Sequence, residues 1–338
     1  MAGPSRLPPP GAMDALPAAT PPILPPLIRL RAQLVALDAL RLPPYAGSAW
    51  RGLLGHGLRQ AACVTRAPTC DGCLLVSHCV YPRLFEPPAL PGTDGRRYAA
   101  PPRPYVLDLD PQAPRDYAPA APLVLGVTLL GEASRQVPYL IQALHLAGQR
   151  GLSRAQARFA LERLDQETAP GSGDWRPVYA TASHRYTPLP AAVGVIPPAP
   201  PRARLHLITP LRLKRQGHLV GPQQFSPRDL VGNLLGRLRL LAEHHGGDAG
   251  ALAGAGLATA AETLTLDPGR LRWHEWTRYS SRQDTLMELG GLVGEADLAG
   301  PGLEALWPLL WQGQWVHAGK GTTFGLGAYR LADAVGAP

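Results

Sequence analysis

GKGTTFGLGAYRL, residues 319–331, sets four glycines, one lysine and two threonines directly before a short alternating run. An ATPase phosphate loop places lysine and a hydroxyl after its second glycine and opens into a helix. Here Lys320 follows the first glycine and the segment runs toward a strand. A dinucleotide fold would put its glycines after a strand and ahead of a helix, and that order is reversed here. Doubly wound nucleotide-binding folds are therefore set aside, and the segment reads as a glycine-dense turn entering the closing strand of an antiparallel sheet. Its bare backbone permits close approach to a ligand, with backbone amides, Lys320, Thr322 and Thr323 as donors. A tight turn whose glycines only allow positive φ accounts for the composition equally well.

Working outward, residues 204–213, 271–280, 286–298 and 323–331 read as strands, and 226–245 and 303–313 as helices. The first half repeats the order: strands at 27–37, 103–109, 122–130 and 156–165, helices at 47–62 and 137–148. Ser48 is the expected N-cap of the first helix, and Gly148 the C-terminal stop of the second. Two βαββαβ units in tandem predict an α+β fold of paired ferredoxin-like (RRM-like) sandwiches. The expected domains are a proline-rich disordered leader (1–26), an N-terminal domain (27–186), a proline-rich linker (187–201) and a C-terminal domain with the glycine-rich loop (202–338). A cysteine insertion occupies 63–86 of the first domain.

The 338 residues carry 33 basic and 25 acidic side chains, a formal net charge of +8. Lys214 and Lys320 are the only lysines, so the basic character is arginine's. A high-GC genome gives that bias; arginine is also the side chain that forks onto phosphate and stacks on bases. No stretch approaches the roughly eighteen apolar residues of a membrane helix. The expected location is the cytoplasm, with no membrane partner.

The glycine-rich segment, together with HLITPLRLKRQGHLV (206–220), RYSSRQDTLMELGGLVG (278–294) and LPPYAGSAWRGLLGHGLRQAAC (42–63), resembles the RAMP superfamily. Specifically, it is similar to the CRISPR precursor-RNA processing endoribonucleases, the Cas-six family. The resemblance runs through both halves in order. It implies two ferredoxin-like domains and metal-independent cleavage of CRISPR repeat RNA, with no catalytic cofactor. The ribose 2′-OH attacks, leaving a 2′,3′-cyclic phosphate and a 5′-OH. The partners it implies are repeat RNA or crRNA and, through the retained guide, subunits of a CRISPR effector complex. The alternative within the superfamily is a non-catalytic subunit that binds guide RNA; a metal-cluster regulator of DNA is a third reading.

Metal-free cleavage needs a base, an acid and cations, and histidine serves in either proton-transfer role. His56 lies on a first helix burdened by Gly52, Gly55 and Gly57, each costing roughly a kcal/mol against alanine. Such a helix suggests that something approaches it closely. In the family the catalytic histidine of many members comes from this helix or the adjoining loop, and Tyr45 matches a tyrosine in some active sites. Arg59, three residues beyond His56, is the candidate cation and Arg51 the second choice. His317 and His274 are competing bases. Arg278, Arg282 and Gln283 are candidate RNA-backbone contacts, with Gly319, Lys320, Gly321, Thr322 and Thr323. Trp273 and Trp276 alternate with His274 as a possible stacking pair or as core. The expectation tying these together is that the glycine-rich loop and His56 converge on one RNA strand.

All four cysteines of the chain, Cys63, Cys70, Cys73 and Cys79, fall within seventeen residues. Their C-x6-C-x2-C-x5-C spacing can close a tetrahedral site for a structural Zn2+, with a [4Fe-4S] cluster as the alternative. His78 could replace one thiolate.

Overall fold

The computed structural model describes residues 23–88, 101–152, 155–252, 256–280 and 285–334, with the side chains of all but 251 and 277–288. The first half comprises β1 (Leu27–Ala36), α1 (Gly47–Ala62), α2 (Val80–Leu84), β2 (Tyr105–Asp108), β3 (Pro122–Leu130), α3 (Val137–Arg150), β4 (Phe159–Glu167), β5 (Trp175–Ala180) and β6 (Arg185–Tyr186). The second comprises β7 (Arg202–Leu211), α4 (Pro227–His245), α5 (Gly256–Glu262), β8 (Thr265–Asp267), β9 (Arg272–His274), β10 (Thr277–Ser280), β11 (Thr285–Glu288), β12 (Gly291–Ala299), α6 (Leu303–Gly313) and β13 (Tyr329–Asp333).

The first sheet runs β2-β3-β1-β4-β5-β6 and is antiparallel throughout. The second runs β8-β12-β7-β13, with β9 also paired to β12. In each, the order of the four strands that flank the two long helices is second-third-first-fourth, the order of a ferredoxin-like sandwich. One apolar core lies between the first sheet and α1 and α3, and another between the second sheet and α4 and α6. The spacing that builds them is simple: Leu230, Val231, Leu234, Leu238 and Leu241 make one buried stripe along α4. That helix starts at a capping box of Ser226 and Asp229.

Several local expectations need correction. Ala46, not Ser48, is the N-cap of α1. The second helix continues past Gly148 to stop at Gly151, whose φ of 81° only glycine adopts cheaply. Gly148 is buried instead, and a Cβ there would meet the Phe159 carbonyl at 2.2 Å. The strands expected at 271–280 and 286–298 each divide, into β9 and β10 and into β11 and β12. The closing strand begins only at Tyr329, because Gly325 and Gly327 sit at φ 87° and 71° and cannot pleat.

The last residues of the expected leader and the expected linker pack on the fold. Ile23 and Leu24 are buried in the second core, and both their amides donate to Gln312 Oε1 at 3.0 Å. The linker lies against both halves. Ala192 bridges to Leu27 of β1, while Trp307 and Trp311 of α6 donate to the Pro197 and Val195 carbonyls. Among the described residues no helix is long and apolar enough to cross a membrane.

Candidate nucleic-acid interface and active site

The glycine-rich segment docks on the N-terminal end of α1. Tyr45 donates its hydroxyl to the Phe324 carbonyl, and its ring packs on Trp276 at 4.4 Å between centroids. Tyr45, Leu289 and Leu326 form a small buried cluster with Trp276 and Phe324 against it, joining the two halves. Gly47 is obligatory here, since a Cβ would lie 1.8 Å from the Phe324 carbonyl oxygen. Arg51, one turn on, holds its guanidinium over the rings of Phe85 at 4.4 Å and Phe324 at 5.0 Å.

Most of the segment's amides are committed to its own fold. Gly319 donates to Asn233 Oδ1, Lys320 to the Arg212 carbonyl, and Phe324 and Leu326 to that of Gly321. Gly325 donates to the Thr322 carbonyl and Gly327 to that of Pro210. The Thr209 hydroxyl donates to the Gly325 carbonyl and accepts from Ala328. The positive φ values of Gly319, Gly321, Gly325 and Gly327 thus serve a compact turn that packs backbone on backbone. Lys320 is exposed, Thr322 buried and Thr323 half-buried. What this turn offers a ligand is therefore its rim, Lys320 and Thr323, more than an open nest of amides.

Two residues of α4 that sequence reasoning did not single out hold the approach to this turn. Arg237 is half-buried and donates to the carbonyls of Val316 and His317, four residues after Asn233 has engaged Gly319. Burial brings its guanidinium pKa down to about 10, so it remains charged at neutral pH. Their i, i+4 spacing on a helix whose other inward residues are aliphatic was the available signal. His317 is buried at φ 60°, with Nδ1 on the Leu326 carbonyl at 3.2 Å. Burial, then the charges of Arg330 and Arg237, push its pKa down to about 4 against the opposing pull of Asp108. It is a structural residue of the turn and out of reach of a substrate.

His56 stands elsewhere on α1. Nine residues beyond Gly47, it is about 14 Å further along the axis and half a turn around. The face of Gly47 meets the glycine-rich turn, so His56 projects from the opposite, exposed face. The expected convergence of His56 with that turn is therefore not what the fold brings together. Partial burial, then the charges of Arg150 and Arg59, hold the His56 imidazole below its ordinary pKa, so it is neutral at pH 7. Arg59 donates to the Ala67 carbonyl and lies 5.7 Å over the Tyr81 ring. Arg150, the last residue of α3, is a cation the sequence reading missed.

The helix glycines answer to the protein's own packing. A Cβ at Gly55 would strike the Phe85 ring at 2.4 Å, and one at Gly57 the Ala143 carbonyl at 2.2 Å; Gly52 faces open space. Trp276 lies beyond the end of β9, so the tryptophans do not alternate along one strand. Trp273 donates to Glu275 and packs at the edge of the second core, while His274 meets Trp276 edge-on at 5.0 Å. Arg278 lies on β10, opposite Met287 of β11. Arg282 and Gln283 lie outside the described residues.

An ionic network also crosses between the halves. Arg29 of β1 pairs with Glu167 and with Asp108, and Arg330 of β13 approaches the same Asp108 carboxylate at 3.5 Å. Burial alone would raise the Asp108 pKa, but His317, Arg330 and Arg29 together keep it below the usual range. Trp315 lies under both guanidinium groups, and Trp175 under Arg31 at 3.8 Å.

Two antiparallel α/β sandwiches with a C-terminal glycine-rich turn seated on the first helix define the class of protein. Residues 205–329 match the family model of the CRISPR-associated endoribonuclease Cas6, and residues 24–191 match the AF_1859_N model, an N-terminal domain. The Cas6 match thus takes in the second half of the chain, from β7 to the start of β13. An uncharacterised protein of Archaeoglobus fulgidus is 30% identical over 127 residues, which are 38% of this chain and 42% of that protein's length. A Cas6 product complex is similar in fold with a TM-score of 0.54 and 20% identity, over 91% of this chain and 99% of that one. The Thermus thermophilus Cas6 gives 0.53 and 18%, over 91% and 98%.

Proposed function

We propose that the protein is an endoribonuclease that cuts CRISPR repeat RNA without a metal ion, using His56 as general base. The observation that carries this reading is the setting of His56, an exposed imidazole held neutral at pH 7 beside the cations Arg59 and Arg150. In the reaction the base takes the 2′-OH proton, O2′ bonds to phosphorus, and the bond from phosphorus to O5′ breaks. The departing O5′ takes up a proton, leaving a 2′,3′-cyclic phosphate and a 5′-OH. Arg59 and Arg150 would offset the charge that gathers on the phosphoryl oxygens. Tyr45 has a different part: its hydroxyl is given to Phe324 and its ring is buried, so it positions the glycine-rich turn. The match of residues 205–329 to the Cas6 model supports repeat RNA as substrate, and the rim of Lys320 and Thr323 with Arg51 is the second RNA contact. On this reading the cleaved guide is retained or passed to effector subunits.

The test is incubation of the protein with its repeat RNA in EDTA. Cleavage with cyclic phosphate ends is expected, falling by about 10²- to 10⁴-fold in His56→Ala while RNA affinity holds within a few-fold. Tight binding by the wild-type protein with no cleavage overturns the proposal in favour of a guide-binding subunit.

A further inference from the structure

The cysteine segment is the one sequence motif that the RNA chemistry leaves unused. It leaves α1 at Cys63, the helix C-cap, and re-enters regular structure at Cys79, the N-cap of α2. Between them lie only turns and bends, and two of its aliphatic residues face outward: Leu74 is 96% exposed and Val64 77%. A stretch with no core of its own needs a cross-link to hold one shape. Yet the segment turns back on itself repeatedly. Cys73 donates to the Cys70 carbonyl at 3.2 Å across a turn with Gly72 at φ 70°, which brings both side chains of the C-x2-C pair to one end of the turn. Arg66, at φ 53°, reverses the chain after Cys63, and Cys79 donates to the Leu75 carbonyl at 2.8 Å.

The result is that all four cysteines of the chain border a single cavity of about 20 Å³, closed by Thr65, Thr69, Val76 and Tyr81. All four are free thiols. Among the described residues no three metal-ligating side chains already stand at coordinating distance, so closing the site takes rotation of the thiols inward. Four thiolates turned inward around such a space suit one tetrahedral ion. His78 does not border the cavity and instead meets the Ser77 hydroxyl at 2.8 Å.

We infer that Cys63, Cys70, Cys73 and Cys79 bind one Zn2+ as a tetrathiolate centre that locks the segment against the end of α1. Its consequence reaches Arg59, which is held between Ala67 of this segment and Tyr81 of α2. The inference does not depend on the RNA chemistry above. The experiment uses the full chain purified under reducing conditions without chelators. About one zinc per chain is expected, released by a mercurial in step with the titration of four thiols. Replacement of zinc by Co2+ should give the intense visible bands of a tetrahedral thiolate site. Cys70→Ser and Cys73→Ser should lower bound metal at least about tenfold. Should those variants fail to fold, the metal content and cobalt spectrum of the wild-type chain still decide. A metal-free folded chain, iron with acid-labile sulfide, or four thiols lost to disulfides would each overturn it.

Discussion

Replacing the buried His317 by asparagine tests how the glycine-rich turn is stabilised, and asparagine tolerates the left-handed backbone found there. The folded imidazole takes a proton only near pH 4, whereas the unfolded one takes it near its ordinary 6.5. Between those values the unfolded state binds more protons, so stability rises with pH across the window and is lost on acidification. Each pH unit corresponds to about 1.36 kcal/mol, so the full descent from pH 6.5 to 4 removes about 3 kcal/mol. His56, His145 and His245 are lowered in the same direction, and Asp108 acts only in more acidic solution, so wild type and variant share those contributions. The assay is urea unfolding of both proteins at several pH values from about 7.5 to 5. His317→Asn should be less stable at neutral pH, and its curve against pH should be shallower by about 2 kcal/mol between pH 6.5 and 5. Parallel curves would refute the reasoning, because they would mean that the imidazole is protonated within the fold or reached by water.

Gly47→Ala and Gly52→Ala form a matched pair on one helix. The first drives a methyl into the Phe324 carbonyl and should destabilise by about 1–3 kcal/mol while weakening RNA binding. The second faces open space and should stabilise by about 0.5–1 kcal/mol, both read as shifts in urea midpoint. Arg237→Ala removes the guanidinium that holds the Val316 and His317 carbonyls, and a loss of about 1–3 kcal/mol is expected in the same measurement.

Both sandwiches were legible because helix spacing and strand alternation agree along most of their length, as in α1 and α6, whose ends coincide with the expected ones. β5 escaped because Pro177 argues against a paired strand; in the fold it sits opposite Asp165, beside a register shift that accommodates it. The last strand was read too early because alternation in TTFGLGAYRL looks continuous until the φ of its glycines is known. At the candidate site, the address of His56 on the first helix was readable but its neighbours were not. Arg150 arrives from α3, and the reasons for Gly55 and Gly57 lie in Phe85 and Ala143, contacts made only by the tertiary packing. The plainer account of the glycine-rich segment, a tight turn, explains most of its residues, and only its rim is left for a ligand.

The hold of Gln312 on Ile23 and Leu24 gives the fold a clasp. Residues that precede the first sheet plug the second, so a nick between 187 and 201 would not release two self-sufficient pieces. The amino-terminal fragment would carry away part of its neighbour's interior, and each piece alone would expose an oily gap that invites aggregation.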